Sequence, residues 1–353
     1  MCIKRKTFAA GIVSWIWVSA VLLQMTTLIS CSSDHLYYET SNRCAVQLNI
    51  DWSNTAFSPE NRGYDTRNTL NGVTVFAFDS LSHMMVKEFP PDANWKTPRI
   101  LLEPGIYDLI VINDSRDELP SIRFDTTLPF DLCCAYIEGD TVFTNHPEYM
   151  TSATVRNVKV CKPESKYWYD RPDDYYNDVT LKEVNVVEYP VTKKINVKVI
   201  VNGINYCKGV LTSYISGMSQ SARLADRKAG REETVYAFNL VSDRMAEDTP
   251  TSATLSKSFN TFGFNVENLK DGTEYHVQLN FMLVDNKPYS VTTDVTQQIK
   301  EWYEEHSIDM SLNLDINLDI VVDLPPTIPE DSNTGGFAPD TDPWDDIKQD
   351  ISL

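Results

Sequence analysis

The sequence predicts an all-β protein of two domains, and three observations carry this. Short runs in which apolar and polar residues alternate recur along the chain, the clearest over residues 308–322. Val, Ile, Thr and Tyr recur in these runs, and glycine is modest at 13 residues. The roughly 320 residues that follow an apolar N-terminal segment exceed what one small core organises.

That N-terminal segment, residues 1–30, reads as a lipoprotein signal peptide. Lys4, Arg5 and Lys6 make a basic head, residues 8–23 are almost wholly apolar and uncharged, and the run closes at Leu28-Ile29-Ser30-Cys31. Basic head, apolar core and small residue before the cut define a secretory signal. Leu three positions before a cysteine and Ser immediately before it look like the lipobox of bacterial lipoproteins. Gln24, Thr26 and Thr27 shorten the apolar run that a membrane-spanning helix would need. The expectation is that Cys31 becomes the lipid-modified N-terminus of an exported chain in a Gram-negative-type cell. The acyl chains bury methylenes in membrane lipid at about 0.8 kcal/mol apiece. This places the protein at the outer membrane, lipid-anchored and facing the cell surface. Residues 31–43 are then a tether and candidate edge strand. The net charge is −19, and losing Lys4, Arg5 and Lys6, three positive charges, takes it to −22. Such a chain repels nucleic acid, which is excluded as a partner, and anionic membrane surfaces, so the lipid is the membrane contact.

Within residues 44–161, the first β domain, Val46, Leu48, Ile50 and Trp52 alternate with Gln47, Asn49 and Asp51. Strand signals resume at 73–78 and 84–89. Glu103-Pro104-Gly105 forms a turn, and Tyr107, Leu109 and Val111 alternate with Asp108, Ile110 and Ile112 up to Asn113-Asp114. A further strand covers 153–161. Residues 162–185 change character: two prolines, dense charge, and Tyr167, Trp168, Tyr169, Tyr175 and Tyr176 mark a tyrosine-rich linker whose rings pin it to its neighbours. The second β domain, 186–324, opens with Ile195, Val197, Val199 and Val201, with strands at 234–241 and 275–284. The period changes over 294–305, where Val295, Ile299 and Trp302 share a helical face and Asp294 with Gln297 resembles a capping box. Strict alternation then runs from Ile308 through Ile316, Leu318 and Ile320 to Val322, with these side chains expected in the core. The tail, 325–353, is acidic and rich in Pro, yet carries Phe337, Trp344, Ile347, Ile351 and Leu353 near its end.

No residue pattern declares chemistry. There is no G-x-S-x-G, no H-E-x-x-H and no P-loop, so no enzyme, cofactor or metal site is expected. The acidic face Asp309, Asn313, Asp315, Asn317 and Asp319 lies along a line, whereas calcium needs six or more oxygens converging on a point; a solvated strand face is expected. Beyond Cys2 and Cys31 stand Cys44, Cys133, Cys134, Cys161 and Cys207. The odd count leaves one thiol unpaired, and buried thiols are expected rather than any particular bridge.

Taken in order, several short pieces resemble the fimbrillin superfamily of type V pili, in particular lipoproteins related to fimbrial anchor subunits. They are His35-Leu36-Tyr37-Tyr38, Leu48-Asn49-Ile50-Asp51-Trp52, Leu102-Glu103-Pro104-Gly105-Ile106-Tyr107-Asp108-Leu109, Ser216-Gly217-Met218-Ser219, Phe259-Asn260-Thr261-Phe262-Gly263 and Gly335-Gly336-Phe337 with Trp344. The resemblance implies two tandem transthyretin-like β-sandwiches and assembly with other fimbrial subunits by strand exchange. It implies proteolytic processing after Arg43 in a stalk-like subunit, retention of the N-terminus in an anchor, and a docking tail anchored by Trp344, Ile347, Ile351 and Leu353. The expected function is a structural or anchor subunit of a surface fibre. The alternative is a stand-alone surface adhesion lipoprotein that binds host glycan or protein.

Overall fold

The computed structural model describes residues 44–58, 70–139, 142–161, 182–242, 251–306 and 315–329. Its first strands are β1 (Cys44–Asp51), β2 (Val73–Asp79), β3 (Met85–Asp92), β4 (Arg99–Leu102) and β5 (Gly105–Asn113). The short β6 (Arg123–Asp125), β7 (Cys134–Tyr136) and β8 (Val142–Phe143) lead to the long β9 (Thr151–Val160). The second run holds β10 (Lys182–Val187), β11 (Tyr189–Pro190), β12 (Lys193–Asn202), β13 (Cys207–Val210), β14 (Ser213–Ser219), β15 (Ser221–Arg223), β16 (Glu233–Phe238), β17 (Val241–Ser242) and β18 (Ser252–Thr261). The helix α1 (Val266–Asp271), β19 (His276–Leu283), β20 (Pro288–Asp294), α2 (Thr296–His306) and β21 (Ile316–Asp323) complete it.

The first sandwich faces a three-stranded sheet, β10-β1-β4, with a five-stranded one, β11-β9-β5-β2-β3. Val46 and Leu48 of β1 point inward and meet Val75, Leu109, Val111, Val184 and Val186, as the alternation predicts. One strand of this sandwich departs from expectation. β10 lies parallel to β1 from Val46↔Lys182 to Asp51↔Val187, so residues 182–185, expected as linker, belong to the sheet. The local charge of Lys182 and Glu183 hides a strand whose apolar side is only Val184 and Val186.

β5 was expected to show one buried face and has two: every residue from Asp108 to Asn113 is buried. Leu109 and Val111 enter the first core, while Ile110 and Ile112, with Phe76 and Phe78 of β2, pack on the opposite side with Leu119, Ile122, Phe130 and Ala135. Residues 115–150 carry strands that the sequence reading passed over. β7 pairs antiparallel with β15, and β8 pairs parallel with β16. The outer face of the first sandwich and the core of the second form one continuous apolar cluster.

In the second sandwich the sheet β17-β18-β12-β21 faces a sheet built on β19, which pairs with β20 along one edge and with β13 and β14, whose line continues to β16 and β8. β12 and β21 run parallel in unbroken register from Ile195↔Ile316 to Asn202↔Asp323, and Ile316, Leu318, Ile320 and Val322 are buried as expected. α2 is the predicted helix, and Val295, Ile299 and Trp302 are buried. Its capping box does not close: Asp294 Oδ1 accepts from the Thr296 N–H at 2.8 Å, but Gln297 reaches forward to Glu301 Oε1 at 2.9 Å. α1 is an additional helix, too short for a periodic signal. Asn265 caps its first N–H groups, and Gly272, with φ 98°, ends it.

The motif pieces of the resemblance mark places where the backbone bends. At Ser216-Gly217 the β14–β16 register shifts, Gly217 has φ 82°, and a Cβ there would stand 2.7 Å from a Tyr275 ring carbon. Gly263, with φ 77°, presents its carbonyl to the Ser219 N–H at 2.8 Å.

Leu318→Asp places an unpaired charge at a fully enclosed position and should cost at least about 4 kcal/mol. Asp319→Asn, on the solvent side of the same strand, should stay within about 0.5 kcal/mol. Thermal melts of the two variants check the strand's facing; equal midpoints would contradict it.

Candidate functional site

The sequence-predicted sites Cys31, Arg43, Trp344, Ile347, Ile351 and Leu353 lie outside the described residues, as do residues 35–40, Asp309, Asn313 and the linker aromatics. What the structure describes is the surface on which those segments would act. β1 begins at Cys44, the residue after Arg43.

Protein chains join sheets along unpaired strand edges, so the edges define the candidate site. β3 carries Pro90 and Pro91, neither of which has an N–H to donate. β4 is only four residues long. β21 is guarded: the Gln298 side-chain amide of α2 donates to the Asp319 carbonyl at 3.0 Å and accepts from the Asp319 N–H at 2.9 Å. The Trp302 indole N–H donates to the Asp315 carbonyl at 3.0 Å. These side chains occupy the place of a neighbouring strand. β10 differs. It ends its sheet, it carries no proline, and among the described residues no strand lies on its outer side. Val184 and Val186 face the core beneath it.

The acidic face of β21 is a solvated, cross-paired surface. Asn196 donates to Asp315 Oδ2 at 3.0 Å and to Asn317 Oδ1 at 2.9 Å, and Lys198 lies 4.0 Å from Asp319. The thiols divide. Cys44 and Cys133 are buried as expected, Cys134 and Cys207 are half-buried, and Cys161 is exposed, because it follows the last rung of β9.

Polar groups also lie at the junction between the sandwiches. Asn113 donates to Asp114 Oδ2 at 2.8 Å and accepts from the Thr151 N–H at 2.7 Å, and Ser152 Oγ donates to the Leu224 carbonyl at 3.0 Å. His146 stacks on Phe259 at 4.5 Å, with Nε2 2.9 Å from the Ala237 carbonyl oxygen, and burial lowers its pKa. Glu188, between β10 and β11, is completely enclosed, and neither carboxyl oxygen has a hydrogen-bond partner. The neighbouring Thr151 hydroxyl donates instead to Asn113 Oδ1 at 3.3 Å. Burial pushes the Glu188 pKa from 4.5 up to about 8, with the Arg227 charge opposing the shift. Nothing in the sequence announces this residue; only the packing of both sandwiches encloses it.

No family profile matches the sequence, and no curated protein is significantly similar to it. Among solved structures the chain is similar to a "putative adhesin" of Bacteroides ovatus ATCC 8483, at 16% identity and a TM-score of 0.51, over 80% of this chain and 90% of that one. A "putative adhesin" of Bacteroides thetaiotaomicron gives 10% identity and a TM-score of 0.50, over 80% and 92%. The fimbrial anchor protein Mfa2 of Porphyromonas gingivalis gives 14% identity and a TM-score of 0.47, over 80% and 90%. The chain therefore shares its all-β fold with these two adhesins.

Between pH 4.5 and about 8 the folded chain keeps the Glu188 proton that the unfolded chain releases. This contribution to stability is therefore complete at low pH and falls as pH rises through that window. Glu188→Gln should gain on the wild type by up to about 4 kcal/mol between pH 4.5 and 8.5. Denaturant melts of both proteins across this range check it; a constant difference would show that the carboxyl ionises freely.

Proposed function

We propose that the chain is an exported lipoprotein, held at the outer membrane through Cys31, that serves as an anchor or structural subunit of a surface fibre. The observation that carries this reading is the double-sandwich fold shared with the Bacteroides ovatus "putative adhesin" over most of both chains. The N-terminal signal with Leu28-Ile29-Ser30-Cys31 supports the lipid anchor, and the unpaired β10 edge supports strand exchange with other subunits. The tail, with Trp344, Ile347, Ile351 and Leu353, is the segment we assign to docking on a neighbour. Among the described residues no helix is long and apolar enough to cross a membrane, and no group of three or more His, Cys, Asp or Glu converges as a metal site.

The decisive experiment isolates surface fibres and asks whether the chain copurifies. Copurification is expected for a fibre subunit. Its absence from fibres, with the protein present on the surface, would favour the stand-alone adhesion lipoprotein.

Cys31→Ala should release the protein from the membrane fraction or trap it as an unprocessed precursor; normal processing and outer-membrane fractionation of the variant would remove the lipid anchor. N-terminal sequencing of protein from intact cells should find a start at Cys31, the anchor outcome. A population starting at Cys44 would instead mark cleavage after Arg43 and a stalk role.

A further inference from the structure

Two cysteines lie together where the chain enters and leaves the first sandwich. Cys44 is the first residue of β1, and Cys161 directly follows β9, the strand that returns along the facing sheet. Cys44 pairs across its sheet with Leu102, and Val160 pairs across the other with Gly105, so the turn at Glu103-Pro104 joins the two sheets beside both cysteines. The Cys44 side chain is buried, 4% exposed, and its thiol donates to the Cys161 carbonyl oxygen at 2.6 Å. Cys161 is exposed. Cys207 is turned to the Gly209 carbonyl at 3.2 Å. Cys133 and Cys134 are adjacent in sequence and lie on the far side of the five-stranded sheet.

We propose that Cys44 and Cys161 form a disulfide that closes the first sandwich. This rests on the reading that the chain is exported, because a thiol–disulfide oxidant must be met. A disulfide spans Cα atoms about 4.4–6.8 Å apart. The Cys44 sulfur already lies against the peptide group of Cys161, and the bridge requires the exposed Cys161 side chain to turn toward it. The exposed thiol reacts first. Its thiolate attacks the oxidant's disulfide, forming a mixed disulfide and expelling one thiolate. The Cys44 sulfur then attacks Cys161 Sγ and expels the second. The two cysteines lose two protons and two electrons, and the oxidant becomes two thiols. Burial raises the Cys44 pKa, with the nearby Cys161 adding to the shift, so Cys44 is the thiol less ready to attack the oxidant first. The odd cysteine count is then resolved as one bridge and three thiols. The residues joined are 117 apart in sequence, so the bridge restricts a large part of the unfolded chain.

The test uses the purified full-length chain in a mixture of reduced and oxidised glutathione, digested with trypsin without reduction. Cleavage after Arg43 and Arg62 releases residues 44–62, and cleavage after Lys159 and Lys166 releases 160–166, since Pro163 protects Lys162. These two peptides should appear joined and separate on reduction. The thermal midpoint should fall by several degrees on reduction in the wild type and not in Cys161→Ser, whose change is on the surface. A Cys161–glutathione adduct that never resolves, both peptides remaining free, or Cys44 joined to Cys133, Cys134 or Cys207 would each overturn the proposal. Because oxidation is done on isolated protein, a failure of export leaves this result unaffected, and cell fractionation reports on export separately.

Discussion

The middle strands of the five-stranded sheet, β2, β5 and β9, are covered on both faces, and the rest of the molecule is arranged to keep them so. One face is closed by the small sheet β10-β1-β4. The other needs residues 115–150 and the β15 segment of the second sandwich, whose Leu224 carbonyl accepts from Ser152 of β9. A sheet with apolar side chains on both sides is soluble only when both covers are in place. The two sandwiches are therefore one cooperative body. The same enclosure isolates Glu188, since the strands that shut out water also leave its carboxyl with nothing to bond.

What was legible in the sequence follows from this. β1, β12 and β21 each bury one face, so their alternation reads directly, as does the Val295, Ile299 and Trp302 stripe of α2. β5 reads as alternating only if Ile110 and Ile112 are assigned outward; the run Leu109-Ile110-Val111-Ile112 is the signature of burial on two sides. β6, β7 and β8 span two or three residues; β6 pairs with β7, while β7 and β8 also find partners, β15 and β16, about 90 residues later, beyond the reach of any local pattern. β10 was obscured by the charged stretch before it. Of the candidate site, the edges depend on which strands end each sheet, and topology of that kind is written in no single segment. Gln298 shows it most simply: an ordinary helix glutamine in sequence, it matters because α2 lies beside β21.

The edges carry the functional argument. Proline at β3, brevity at β4 and side-chain cover at β21 are three different ways to discourage an incoming strand. β10 has none of these devices, and β20, paired only with β19, has a proline at its first residue alone. The motif glycines serve the same architecture. Gly217 lets β14 bulge over Tyr275, and Gly263 brings the end of β18 to Ser219, so the resemblance to fimbrial proteins rests on residues that shape the sheets.

The parallel pairings have a mechanical consequence. β1 and β10 run side by side in one direction, and so do β12 and β21, while β1 begins and β21 ends the described strands. Tension applied ahead of Cys44 and beyond Asp323 draws each terminal strand lengthwise along its parallel neighbour. The rungs of each ladder then share the load in shear, where an antiparallel hairpin pulled at its open end would unzip one rung at a time. For a chain tethered at one end and pulled at the other, this geometry resists force with whole strands at once.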